Sequence, residues 1–64
     1  MQVKSIEIRK EGGRWKKLAA SQWDFALWSV ACHYEMSRRD AETWLKAGHR
    51  PYVQDFGGAY LRAA

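Results

Sequence analysis

Residues 3–19, VKSIEIRKEGGRWKKLA, determine the fold of the first third of this 64-residue chain. Two runs mixing apolar and charged residues flank Gly12-Gly13, and Gly-Gly readily supplies the positive φ angles of a two-residue hairpin turn. Such a turn pairs Ile8 with Lys17. The predicted apolar face then carries Ile6, Ile8, Trp15 and Ala19. The predicted charged face carries Glu7, Arg9, Glu11, Arg14 and Lys16. We therefore expect a β-hairpin that packs on another element, because a lone hairpin is marginal in water.

The first predicted helix begins near residues 21–24, SQWD, which have the form of a capping box with Ser21 as N-cap. Apolar residues then recur at helical spacing as far as Tyr34. An adjoining face carries Phe25, Trp28 and Cys32. The helix is thus apolar around most of its circumference, which predicts burial on two sides and a buried cysteine. The four tryptophans are expected to form much of the core, since each can bury about 150–250 Å².

A second predicted helix begins with Ser37 as N-cap and ends at Gly48, shortly before Pro51. The tail that follows is compatible with a helical turn or an extended segment. The expected fold is α+β, an N-terminal β-hairpin packed on two α-helices with a short C-terminal element. The single small domain, 1–64, divides into a basic hairpin at 1–20, a helical pair at 21–48 and the C-terminal element at 49–64.

Positive charge is concentrated in the hairpin. Residues 1–20 hold six Lys or Arg and two Glu, a net of 6 − 2 = +4, whereas 21–64 hold five bases and five acids. A basic segment is the electrostatic signature of a nucleic-acid binder, although an acidic protein attracts it equally. A solvated hairpin surface is the alternative interpretation.

Catalysis, metal binding and membrane insertion find little support in the sequence. The only thiol, Cys32, adjoins His33, but neighbouring helical residues point about 100° apart. No CxxC or HxxxH spacing marks a zinc site, and no glycine-rich loop follows a strand to hold a phosphate. No signal peptide or run of about 20 apolar residues is present. We expect a cytoplasmic protein that is not an enzyme and uses no metal or cofactor.

Residues 30–45, VACHYEMSRRDAETWL, resemble the core of a helix-turn-helix DNA-binding motif. The motif's apolar or small positions are occupied by Val30, Ala31, Tyr34, Met36, Ala41 and Trp44. Ser37 provides the polar cap after the turn. Glu35 departs from the pattern, because the turn usually carries glycine in a left-handed conformation that costs glutamate roughly 1 kcal/mol.

The resemblance implies that the second helix enters the major groove as a recognition helix. Arg38 and Arg39 would contact base edges, since arginine reads guanine bidentately. Thr43 and Lys46 would contact nearby phosphates or bases. The hairpin would act as a wing against the DNA backbone through Arg9, Arg14, Lys16 and Lys17. The implied function is a small DNA-binding transcriptional regulator of the phage or mobile-element type.

Aromatic residues near the C-terminus indicate an alternative function. Tyr52, Phe56 and Tyr60 recur every four residues with Arg62 close by, and Trp, Tyr and Arg are enriched at interface hot spots. The alternative is a small phage-type inhibitor or adaptor that binds a host protein through these residues and the basic hairpin. A homodimer is also possible. The same aromatics could instead close the core over the helices.

Overall fold

The computed structural model describes residues 5–64, so the predicted strand start at Val3 lies outside the described residues. The elements in chain order are β1 (Ile6–Lys10), β2 (Lys16–Lys17), a 3-10 turn (Ala20–Gln22), α1 (Trp23–His33), α2 (Arg38–Lys46), β3 (Tyr52–Val53) and β4 (Ala59–Ala63). The predicted α+β class is confirmed, with an N-terminal hairpin and two helices. The ambiguous C-terminal tail is a second hairpin.

The four strands form one antiparallel sheet in the order β2-β1-β4-β3. β1 and β4, the first and last strands, are neighbours and pair from Ile6 with Ala63 to Lys10 with Ala59. Both helices pack on one face of this sheet. The core between the two layers contains Ile6, Val53 and Leu61 from the strands and Ala26, Leu27, Val30, Ala41 and Leu45 from the helices.

The first hairpin differs from the prediction by one residue of register. Glu7 pairs with Lys17 and Ile8 with Lys16, so the predicted pairing of Ile8 with Lys17 is wrong. The cause is a three-residue connection, in which Gly12 has φ 77° and the Gly13 amide donates to the Lys10 carbonyl at 2.8 Å. A one-residue shift exchanges the two faces of a strand. The second strand of the hairpin therefore turns its tryptophan away from the helices.

Both helices end in the same hydrogen-bonded motif, one that places a left-handed residue just after the last turn. After α2 this residue is Gly48, with φ 101°, as predicted. After α1 it is Glu35, with φ 53°, and the Met36 amide donates to the Ala31 carbonyl at 3.0 Å. The predicted N-cap Ser37 is confirmed, since its hydroxyl accepts from the Asp40 amide at 3.0 Å.

Two predictions about α1 are wrong. Ser21 is not its N-cap, because Ser21 belongs to the preceding 3-10 turn and Gln22 occupies the cap position. The helix is also not buried on two sides: Phe25, Trp28 and the thiol residue Cys32 are exposed. The tryptophans accordingly contribute less to the core than predicted. Only Trp23 and Trp44 pack against it, and both are half-buried.

Candidate nucleic-acid interface

The sheet face turned away from the helices gathers most of the aromatic and basic residues of the strands. Side chains alternate between faces along a strand, so neighbours of the core residues point outward. We define the outer sheet face as Glu7, Arg9, Trp15, Lys17, Tyr52, Tyr60 and Arg62, with Arg50 at its margin. Cross-strand pairing places Glu7 beside Lys17 and Arg62, and Arg9 beside Tyr60.

Trp15 lies at the centre of a cluster of guanidinium groups. The Arg62 guanidinium carbon is 4.1 Å from the centroid of the indole ring, that of Arg9 is 5.5 Å away and that of Arg50 is 5.9 Å away. Arg9 also lies over the ring of Tyr60 at 5.2 Å. Each contact falls within the roughly 6 Å range of a cation–π interaction. The cluster thus brings three guanidinium groups within cation–π distance of one indole ring.

The outer sheet face is strongly basic. Among its described residues, four cations (Arg9, Lys17, Arg50 and Arg62) face one carboxylate, Glu7, for a net charge of 4 − 1 = +3. Glu7 is itself engaged, since Arg62 Nε donates to its Oε1 at 2.7 Å. The remaining positive charge is therefore available to an anionic ligand.

Helix α2, the predicted recognition helix, is less basic. Arg38 donates to the carboxylate of Asp24, and Lys46 forms a 3.7 Å ion pair with Glu42. The other two predicted contacts, Arg39 and Thr43, are exposed on the same helix. With Glu35 and Asp40 counted among the neighbours, three bases face four acids, a net of 3 − 4 = −1.

The predicted basic wing is divided between the two faces of the hairpin. Arg9 and Lys17 belong to the outer sheet face, whereas Lys16 shares the face of Ile8. On that second side lies a cleft of about 510 Å³ at the tip of the hairpin. Its lining consists of Ile8, Lys10, Gly13, Arg14 and Lys16. The structure thus places the four predicted wing residues in two separate groups.

The predicted protein-interface residues are divided as well. Tyr52, Tyr60 and Arg62 lie on the outer sheet face, where the two tyrosine rings are 5.2 Å apart. Phe56 instead packs edge-on against Phe25 of α1, with ring centroids 5.3 Å apart. Residues assigned from sequence to two different functions therefore meet on one surface.

Phe25 and Trp28, which were predicted to be buried, form a second exposed surface together with the half-buried predicted interface residue Phe56. Phe25 and Trp28 stack with centroids 6.0 Å apart, and Phe56 joins them from the β3–β4 connection. Trp28 is 56% exposed and Phe25 is 45% exposed. We call Phe25, Trp28 and Phe56 the α1 aromatic patch. Large exposed aromatics that adjoin one another mark an interaction surface more often than single ones do.

Asp55 connects the β3–β4 turn to α1. Its Oδ2 accepts a hydrogen bond from the fully buried Ser29 hydroxyl and lies 2.9 Å from His33 Nε2. The hydrogen bond from Ser29, followed by that from His33, holds the pKa of Asp55 below its ordinary value. The carboxylate occupies the middle of this trio and accepts the hydrogen bond that Ser29 would have to donate to a base, so the arrangement is a structural link and not a nucleophile–base pair.

Comparison with protein families, curated proteins and solved structures found no match for this chain. In the described part of the chain, residues 5–64, neither helix is long and apolar enough to cross a bilayer. Within the same residues, no three His, Cys, Asp or Glu side chains converge on a possible metal position. The function is therefore inferred from the charge and the aromatic content of the surfaces described above.

Proposed function

We propose that this protein binds nucleic acid and that the outer sheet face makes the main contact. The observation that carries the proposal is the combination of a net +3 charge with aromatic rings at one surface. Basic groups neutralise phosphates and aromatic rings stack on bases, and together they are the usual composition of a nucleic-acid contact. No metal or cofactor enters this proposal.

Charge favours the outer sheet face over α2. A phosphate approaching α2 meets carboxylates within one helical turn of each base, and ion pairs already hold Arg38 and Lys46. On the outer face the only carboxylate of the described residues is engaged by Arg62. The sign of the local field thus differs between the two surfaces, and this sign governs the association of a polyanion.

The left-handed conformation of Glu35 is compatible with a helix-turn-helix turn, but the same conformation ends helices generally. It therefore adds little to the DNA-binding interpretation. We retain a small cytoplasmic regulator of the phage or mobile-element type as the biological role, with the outer face in place of the recognition helix. A reducing compartment suits the exposed thiol of Cys32.

The test compares two double variants that remove the same charge. Lys17→Ala/Arg50→Ala takes two exposed cations from the outer face, and Arg38→Ala/Arg39→Ala takes two from α2. Fluorescence anisotropy of labelled DNA would be measured between about 50 and 200 mM salt. We expect the first variant to lose about 10-fold or more in affinity, with a shallower salt dependence, and the second to stay within a few-fold of wild type.

Two results would contradict the proposal. If only the α2 variant loses affinity, α2 is the contact surface and the helix-turn-helix interpretation is correct. If the wild-type protein binds neither duplex nor single-stranded DNA at low salt, nucleic-acid binding is not its function.

The α1 aromatic patch supports a second candidate function, protein binding. Phe25 and Trp28 are exposed although each ring could bury about 150–250 Å² at an interface. Here a host protein would be the partner, as in the inhibitor or adaptor alternative. Because the patch and the outer sheet face share no residue, substitutions can separate the two functions.

A further inference from the structure

We infer that the ligand of the outer sheet face is single-stranded DNA, whose bases stack on a row of flat side chains. The inference rests on the proposed nucleic-acid binding and specifies its substrate. The row runs across the sheet through Tyr52, Tyr60, Arg9 and Trp15, and Arg62 lies on the indole. Successive separations along it are 5.2, 5.2, 5.5 and 4.1 Å.

Planar side chains stabilise a bound ligand by stacking only if the ligand also exposes planar groups. In a duplex both faces of each base are covered by neighbouring base pairs, and proteins read the base edges in the grooves. An unpaired base exposes its faces, which stack on aromatic rings or on arginine planes. Tyr52 is 39% exposed, and Tyr60 and Trp15 are half-buried, so all three retain surface for such contacts.

The cations lie where the phosphates of a bound strand would run. Lys17 is in β2 at one edge of the sheet, and Arg50 immediately precedes Pro51 and β3 at the other. A strand that crosses the row would meet Lys17 at the β2 edge and the Arg50 guanidinium beside Trp15, 5.9 Å from the centroid of the indole ring. The sheet is about 14 Å wide between its edge strands, given strand spacings of about 4.8 Å. Sheet faces of this kind stack two or three bases.

The hydrogen-bonding groups of the face favour DNA over RNA as the occupant. A ribose 2′-hydroxyl is recognised by a partner that accepts or donates a hydrogen bond at the sugar. Among the described residues, the carboxylate of this face accepts from Arg62, and the Tyr52 hydroxyl packs against Gly58. The described part of the face thus offers no free carboxylate to which a 2′-hydroxyl could donate, and its cations are the groups that phosphates engage, so we commit to deoxyribose.

The experiment measures binding of three labelled ligands at one salt concentration: an oligothymidylate and an oligouridylate of about ten nucleotides, and a DNA duplex of the same length. Tyr60→Leu removes one ring from the row, Tyr60→Phe keeps it, and Trp28→Leu removes a ring from the α1 aromatic patch. Circular dichroism verifies that each variant is folded.

We expect the oligothymidylate to bind about 10-fold or more tightly than the duplex, and Tyr60→Leu to weaken this binding about 10-fold. Tyr60→Phe and Trp28→Leu should bind like wild type. If the duplex binds as tightly and Tyr60→Leu has no effect, the inference is wrong and the proposed function stands. If no ligand binds, both fail. Tighter binding of the oligouridylate by 10-fold would overturn the commitment to DNA.

Discussion

The guanidinium carbon of Arg62 lies 4.1 Å from the centroid of the Trp15 ring. Its Nε also donates to Glu7 at 2.7 Å, so one side chain of β4 connects β1 to the segment that precedes β2. This residue therefore orders the outer sheet face as well as charging it. Lys17, by contrast, is exposed, and we propose it as a cation that contacts the ligand.

Arg62→Ala should lower the free energy of unfolding by about 1–2 kcal/mol. The estimate combines a cation–π contact of about 0.5–1 kcal/mol with a partly buried ion pair of similar value. Urea titration followed by circular dichroism measures the effect. Arg39→Ala, at an exposed position of α2, is the control and should change stability by no more than about 0.5 kcal/mol. If Arg62→Ala and Arg39→Ala lose the same free energy of unfolding, the contacts of Arg62 with Trp15 and Glu7 contribute nothing to stability.

Asp55 should make folding stability depend on acid pH. Its pKa is lowered in the folded state by hydrogen bonds from Ser29 and then His33. The stabilisation is therefore complete above the ordinary aspartate pKa of about 3.9 and is lost as the pH falls through the lower folded value. Urea unfolding at a series of pH values should show a steeper acid loss for wild type than for Asp55→Asn.

A matched control for this pH dependence is Asp24→Asn, which removes one negative charge from an exposed site on α1. It should retain the wild-type acid loss. Parallel curves for wild type and Asp55→Asn would mean that the Ser29 and His33 hydrogen bonds do not favour the ionised carboxylate.

Local sequence signals predicted where the helices and strands lie better than they predicted which side of each is buried. Ser37 and Gly48 bound α2 because capping depends on a few adjacent residues. The hairpin register depends on whether the turn has two residues or three, and Lys10 to Gly13 suit both. One residue of difference moved Trp15 from the predicted core face to the outer face.

Non-local pairing explains what the sequence left open. The end of the tail became β4 because β1 offers a partner 49 to 57 residues earlier in the chain, which no local pattern reveals. The predicted interface residues Tyr52 and Tyr60 joined the predicted wing residues Arg9 and Lys17 for the same reason. Five predicted site residues, Arg9, Lys17, Tyr52, Tyr60 and Arg62, thus met on one surface, a grouping that the protein-binding alternative implied and the helix-turn-helix interpretation did not.

Glu35 and Gly48 occupy the same position after successive helices, and substitutions there should have opposite effects. Glu35→Gly relieves a left-handed conformation that costs a side chain about 1–2 kcal/mol, less the extra chain entropy of glycine, so stability should rise by about 0.5–1 kcal/mol. Gly48→Ala should lower stability by about 1 kcal/mol. A Cβ at Gly48 would meet nothing within 4 Å, so this loss reports conformation alone.

Chemical denaturation of both variants tests this pair. The slope of the unfolding free energy against denaturant concentration should match that of wild type, because neither substitution changes the surface exposed on unfolding. A loss of stability in Glu35→Gly would show that the glutamate side chain makes a stabilising contact that outweighs its backbone conformation.

Trp28 should contribute to association and little to folding. With 56% of its surface exposed, Trp28→Gln should change the free energy of unfolding by no more than about 0.5 kcal/mol. Trp44→Gln makes the same chemical change at a half-buried ring packed on Tyr34 and His49, and should cost more than about 1 kcal/mol. Sedimentation velocity at rising concentration then compares self-association. If the patch joins two copies of the chain, Trp28→Gln associates less than wild type, whereas identical sedimentation leaves a host protein as its partner. Equal stability losses for the two tryptophans would remove the reason to call the patch an interface.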